Sequence, residues 1–178
     1  MASWHEFEVA APEMAGVAAR LWPGITALSR FGDPPAAGPC FSVAYLATTR
    51  PDGSARLHPF CPILADGRLF AAIPRSSPKG WDLRREPRCA IHALPGPDDD
   101  ELAIRAHARE VGADFGIRAL VVAIVSRSEV GGMIETTSAD PLFEFDLVQV
   151  DTARWLDIGK VGTQAVRMRW IAPARAGT

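Results

Sequence analysis

The chain has 178 residues, 48% of them hydrophobic and 22% charged, with a formal charge of −2. A single domain of this size buries roughly 70% of its unfolded surface, and the near-neutral balance argues against nucleic acid or an anionic membrane as the main partner. Cys40, Cys61 and Cys89 form no C-x-x-C pair and leave one cysteine unmatched, so they are expected to be reduced, buried thiols of a cytoplasmic protein.

The four histidines lack metal-ligand spacing, and no metal site is expected. No stretch approaches the roughly 18 apolar residues of a membrane span, and acids stand at the N-terminus where a signal peptide is basic.

Along the chain, Pro12, Met14, Val17, Ala18, Leu21 and Trp22 predict an amphipathic helix over 12–22, stopped by Pro23-Gly24. Residues 23–39 read as an irregular connection. From Cys40 the period becomes two. Strands are predicted at 40–49, 54–64 and 68–73, separated by turns at Pro51-Asp52-Gly53 and Asp66-Gly67. Pro59 and Pro62 within one strand imply an edge or a bulged segment facing a ligand.

A helix over 77–86 follows, and Pro87 ends it; 88–94 is a fourth strand. In 101–111, Leu102, Ile104, Ala106 and Ala108 face one way, and Arg105, His107 and Arg109 the other. Asp114 caps a predicted helix near 115–127, whose β-branched content leaves a strand open on propensity alone. A loop covers 129–141. Phe143, Phe145 and Leu147 alternate with Glu144 and Asp146, and Val166, Met168 and Trp170 with Arg167 and Arg169. Those arginines are expected to be cross-strand partners of the carboxylates or, less simply, ligand contacts. Trp155 and Trp170 are expected in the core or at a subunit contact.

The series predicts a mainly β (α+β) fold, a split antiparallel β-barrel of about six to seven strands with flanking helices. Residues 1–39 hold the N-terminal helix and connection, 40–172 the barrel domain, and 173–178 a tail.

The most informative stretch is Ser76-Ser77-Pro78-Lys79. Ser77 suits an N-cap and Pro78 the first helical position, which leaves the amides of Lys79, Gly80 and Trp81 pointing outward at the positive end of the helix dipole. With the hydroxyls of Ser76 and Ser77 and the Lys79 ammonium, they form a candidate phosphate site. Such a start also occurs at ordinary capped helices. Two features favour an anion. Lysine is scarce, with Lys79 and Lys160 against seventeen arginines, and Arg50 to Cys89 holds eight basic and four acidic residues.

The ordered series over residues 41–111 resembles the pyridoxamine 5′-phosphate oxidase-like family of FMN-binding split barrels. It runs through Ala47-Thr48-Thr49-Arg50-Pro51-Asp52-Gly53, Arg56-Leu57-His58-Pro59 and Asp66-Gly67-Arg68-Leu69-Phe70. Ser77-Pro78-Lys79-Gly80-Trp81-Asp82-Leu83-Arg84-Arg85-Glu86-Pro87-Arg88 completes it.

The resemblance implies that Arg56, Ser77 and Lys79, with Ser76 beside them, hold the FMN phosphate. It implies that Arg56, Leu57, His58 and Pro59, together with Ala72, run along the flavin ring. It also implies a homodimer with the cofactor at the subunit interface and a small-molecule substrate. Cys61 stands where the oxidase branch carries another lysine, and Pro78 where an arginine often precedes the helix-start lysine. The C-terminal strands lack clear equivalents of the substrate-holding residues. These departures point away from pyridoxamine phosphate oxidation itself. The leading expectation is an FMN-dependent oxidoreductase of unassigned substrate, in which the flavin carries the chemistry and no catalytic side chain is nominated. The alternatives are a deazaflavin-dependent reductase and a non-catalytic flavin- or heme-binding dimer.

Overall fold

The computed structural model describes residues 1–23, 42–96, 98–112, 114–126 and 139–174. The connection over 24–39, Cys40, and most of the predicted loop at 129–141 lie outside them.

The N-terminus contains one helix more than expected. Ser3 Oγ accepts the Glu6 amide at 3.2 Å while Glu6 Oε2 accepts the Ser3 amide at 2.6 Å. This reciprocal capping box starts α1, Trp4–Ala10. Pro12 then opens α2, Pro12–Leu21, which buries Met14, Val17 and Ala18.

Among the described residues the strands are β1 (Ala44–Thr49), β2 (Ala55–Phe60), β3 (Ile63–Ala65), β4 (Arg68–Ala72), β5 (Arg88–Ala93), β6 (Glu101–Glu110), β7 (Leu142–Leu156) and β8 (Gln164–Ile171). Helix α3 spans Pro78–Arg85 and α4 spans Phe115–Ser126. The strand expected at 54–64 is two strands, broken at Cys61-Pro62, because Pro62 cannot donate to a continuing ladder. Eight strands therefore stand where six or seven were expected.

All pairings are antiparallel, in the order β2-β1-β5-β6-β7-β4-β3, with β8 on β7. The path begins at β2 and ends at β3, which adjoin in sequence. The sheet therefore curls back on itself into a barrel left open between these two strands. Ala2 bridges Leu147 on β7, between the β4-paired and β8-paired stretches of that strand.

Alternation decides what fills the interior. Leu46, Ile91, Leu102, Ile104, Phe145 and Leu147 meet Trp4, Phe7 and Trp22 in one core. The Phe7 ring packs on Trp170 with centroids 5.4 Å apart. A second core forms outside β3 and β4, where Ile63, Ala65 and Phe70 pack against Ile117, Val121 and Ile124 of α4. That cover explains why all three residues of β3 are buried. It also resolves the helix-or-strand ambiguity of 115–126, since a helix stripe is what covers that face. Asp114 Oδ1 accepts the Ile117 amide at 3.0 Å, as its capping role predicts.

Arg167 and Arg169 are cross-strand partners, but of other carboxylates than Glu144 and Asp146. Arg169 pairs with Asp151 at 2.6 Å and Arg167 with Glu101 at 3.5 Å. Glu144 instead receives Arg68 and Arg109. No helix among the described residues is long and apolar enough to cross a membrane.

Candidate anion site at the seam between β2 and α3

The start of α3 is set by Ser77, whose backbone is extended (φ −74°, ψ 126°), followed by Pro78. The approach is a tight turn in which the Ser77 amide donates to Pro74 O at 2.9 Å, and Trp81 Nε1 ties back to Arg75 O at 3.0 Å. Gly80 lets the helix lie close to the barrel, since a Cβ there would stand 3.2 Å from Ile73 Cγ2. Helix α3 packs on β1 and β6 through the buried Leu83.

The cap differs from expectation in one respect. The Ser77 hydroxyl caps no amide; Gly80 and Trp81 instead donate to Ser77 O at 3.0 and 3.4 Å. Of the three amides expected to point outward, that of Lys79 makes no hydrogen bond to the described residues. The hydroxyls of Ser76 and Ser77 are likewise uncommitted among them.

Two cations cross the seam in opposite directions. Lys79 reaches from α3 to β2, donating from Nζ to Pro59 O at 2.9 Å. Arg56 reaches from β2 to α3, its Nε 2.6 Å from Asp82 Oδ2. Thr48 Oγ1 donates to the same oxygen at 2.9 Å, and Arg85 Nη2 lies 3.3 Å from Asp82 Oδ1. Neither Nη of Arg56 bonds to a described residue. Asp82 was missed by sequence reasoning, although it stands one turn after Pro78, where its side chain tilts back toward the helix start.

The electrostatics follow from this packing. Burial pulls Lys79 below its ordinary range, and the neighbouring Cys61 thiol opposes that. Burial raises Cys61, against Lys79. His58 is pushed down by burial, and then by Lys79, Arg56 and Arg50, against the opposing pull of Asp82. For Asp82 burial acts upward, but the hydrogen bonds from Arg56, Thr48 and Arg85 outweigh it and hold the carboxylate ionised.

Arg56 and His58 stand on the face of β2 opposite Thr48 and Leu46, the face that leads into the barrel through Phe60. Leu57 and Pro59 face outward, and Leu57 is 62% exposed. Among the described residues β2 pairs only with β1, and Lys79 finds Pro59 O on its open edge. Strand alternation puts the Leu57 amide and carbonyl on that same edge. Ala72 ends β4, half-buried, just ahead of the turn carrying Ser76 and Ser77. Arg56, His58, Pro59 and Lys79 thus meet at one seam. Ser76 and Ser77 adjoin Lys79 in the chain, and the Leu57 side chain points to the other face.

No protein-family model and no curated protein matches the sequence. Solved structures do match in shape. HutZ, the heme storage protein from Vibrio cholerae, aligns at TM-score 0.52 and 19% identity, over 60% of this chain and 81% of its own. A putative pyridoxamine 5′-phosphate oxidase from Listeria innocua gives 0.50 and 20%, over 61% and 86%. An FAD-binding protein from Mesorhizobium loti gives 0.50 and 19%, over 62% and 82%. At these identities the likeness establishes the fold alone, a split antiparallel β-barrel.

Proposed function

We propose that this chain binds FMN, with its phosphate at the β2–α3 seam, and serves as an FMN-dependent oxidoreductase acting on a small molecule. The observation that carries this is the unspent donor set. The Nη edge of Arg56, the Lys79 ammonium and amide, and the hydroxyls of Ser76 and Ser77 all remain available to an anion. Arg56, Arg85 and Lys79 against Asp82 leave two positive charges, which suits a phosphate dianion.

The open edge at Leu57, together with His58, Pro59 and Ala72, would border the flavin ring. Bound FMN would supply the hydride or electron transfer, while the chain's residues hold and orient it. The Mesorhizobium protein is FAD-binding, which supports a flavin in this fold.

The subunit arrangement belongs to the same proposal. Tyr45 and Leu57, 40% and 62% exposed, lie on the outward face of β1 and β2 beside Ala47. A homodimer covering that face would enclose the cofactor between subunits. Heme is the second reading, favoured by the half-buried His58 imidazole at the seam, a side chain of the type that ligates iron.

The test is purification followed by absorbance and mass spectrometry of the released cofactor, with titration of FMN and riboflavin where none co-purifies. Flavin absorbance, or FMN binding well above riboflavin, supports the proposal. A Soret band moves the assignment to heme. Binding of deazaflavin alone replaces FMN, and binding of none of them leaves a dimeric scaffold.

A further inference from the structure

Asp82 contacts no surface from which a ligand would approach, yet it is the hub of the seam. It is 2% exposed and accepts hydrogen bonds from three elements: Arg56 on β2, Thr48 on β1 and Arg85 at the end of α3 itself. An arginine offers two flat donor edges, Nε with one Nη, and the pair of Nη groups. Asp82 takes Nε alone, at 2.6 Å. The edge left over is the fork that matches two phosphate oxygens.

We propose that Asp82 is a positioning residue for phosphate recognition: it fixes the Arg56 guanidinium through Nε so that its Nη edge is presented to the anion. The proposal rests on the phosphate site argued above. It makes an otherwise puzzling carboxylate useful, since by charge alone Asp82 repels a phosphate. Thr48 and Arg85 hold the second lone pair and the second oxygen, so the carboxylate cannot rotate away from Arg56. Lysine at position 56 cannot replace this arrangement, because one ammonium has no planar fork to divide between Asp82 and the phosphate.

Two readouts separate the positioning from the identity of the cofactor. Without ligand, the Arg56 Nε–Hε correlation in a ¹H–¹⁵N spectrum should be sharp and distinct in the wild type. In Asp82→Asn it should collapse toward that of exposed arginines. Identical spectra overturn the proposal.

With ligand, Asp82→Asn should weaken FMN about tenfold while leaving riboflavin unchanged, and the loss should vanish in an Arg56→Ala background. Arg56→Lys should bind FMN no better than Arg56→Ala. Thr48→Val, which keeps every charge, should weaken FMN about threefold and guards against Asp82→Asn failing to fold. Unchanged or tighter FMN binding by Asp82→Asn makes Asp82 a mere counter-charge and overturns the proposal. Wild-type protein that ignores FMN while Arg56 stays ordered sinks the cofactor assignment and leaves the anchoring standing.

Discussion

Lys79→Ala isolates the phosphate contribution most cleanly. Two unit charges 4 Å apart at an effective dielectric constant of 20 attract by about 4 kcal/mol, an upper bound for a group with water nearby. A hydrogen bond to a charged partner measures about 1.5–3 kcal/mol. Lys79 belongs in that lower range, because it is half-buried and already shares its protons with Pro59 O. Its partial burial has removed some hydration before any ligand arrives, which is why its pKa is depressed. FMN should therefore bind about ten- to a hundred-fold more weakly to Lys79→Ala. Folding should change by less than about 1 kcal/mol, since the Pro59 carbonyl sits at an open sheet edge where water can replace the ammonium. Flavin fluorescence quenching, with riboflavin as the phosphate-free control, measures both affinities. An unchanged FMN affinity, or an equal loss for riboflavin, refutes the placement of the phosphate.

Asp82→Asn should lower stability by about 3 kcal/mol at pH 7, since it strips the counter-ion from Arg56 and Arg85. The Asp82 pKa is depressed on folding, so its contribution is full above the ordinary value of 3.8 and fades as pH falls below it; denaturation curves of the two proteins should converge there. A gap that stays constant down to pH 2 contradicts the depressed pKa. Cys89, pushed up to about 12 by burial, should resist iodoacetamide at pH 8 in the native protein. Cys61 should react slowly and become protected by FMN; peptide mass spectrometry reads both, and equal labelling of the two opposes the packing described. Gly67 adopts φ +65°, and a Cβ there would lie 2.7 Å from His5 Cβ. Gly67→Ala should therefore cost about 2–4 kcal/mol in a denaturant titration. Leu57→Asp should convert a dimer to monomer by sedimentation, and an unaltered dimer would place the interface elsewhere.

Local chemistry made much of the barrel legible. Pro51-Asp52-Gly53 and Asp66-Gly67 set the hairpins, and the alternation of 101–110 is the burial pattern of β6. Ser77-Pro78 and Pro87 bracket α3 to within a residue at each end. The Ser3–Glu6 capping box was equally local, so α1 was readable and missed.

What stayed hidden depends on pairing between distant segments. Asp82 looks like a solvent-facing acid until β1 and β2 bring Thr48 and Arg56 to it. The partners of Arg167 and Arg169 depend on the register of β6, β7 and β8. Pro62 marks the break locally, but that β3 then crosses to the other end of the strand order depends on its pairing with β4.

The most direct test of the phosphate seat is the ³¹P resonance of FMN bound to the wild-type protein, followed with pH. A free phosphate monoester takes up its second proton near pH 6. Held by Arg56, Lys79 and the start of α3, the bound phosphate should stay dianionic, with no titration down to about pH 5 and a resonance displaced from that of free FMN. A bound resonance that titrates like free FMN would place the phosphate in water and contradict the account.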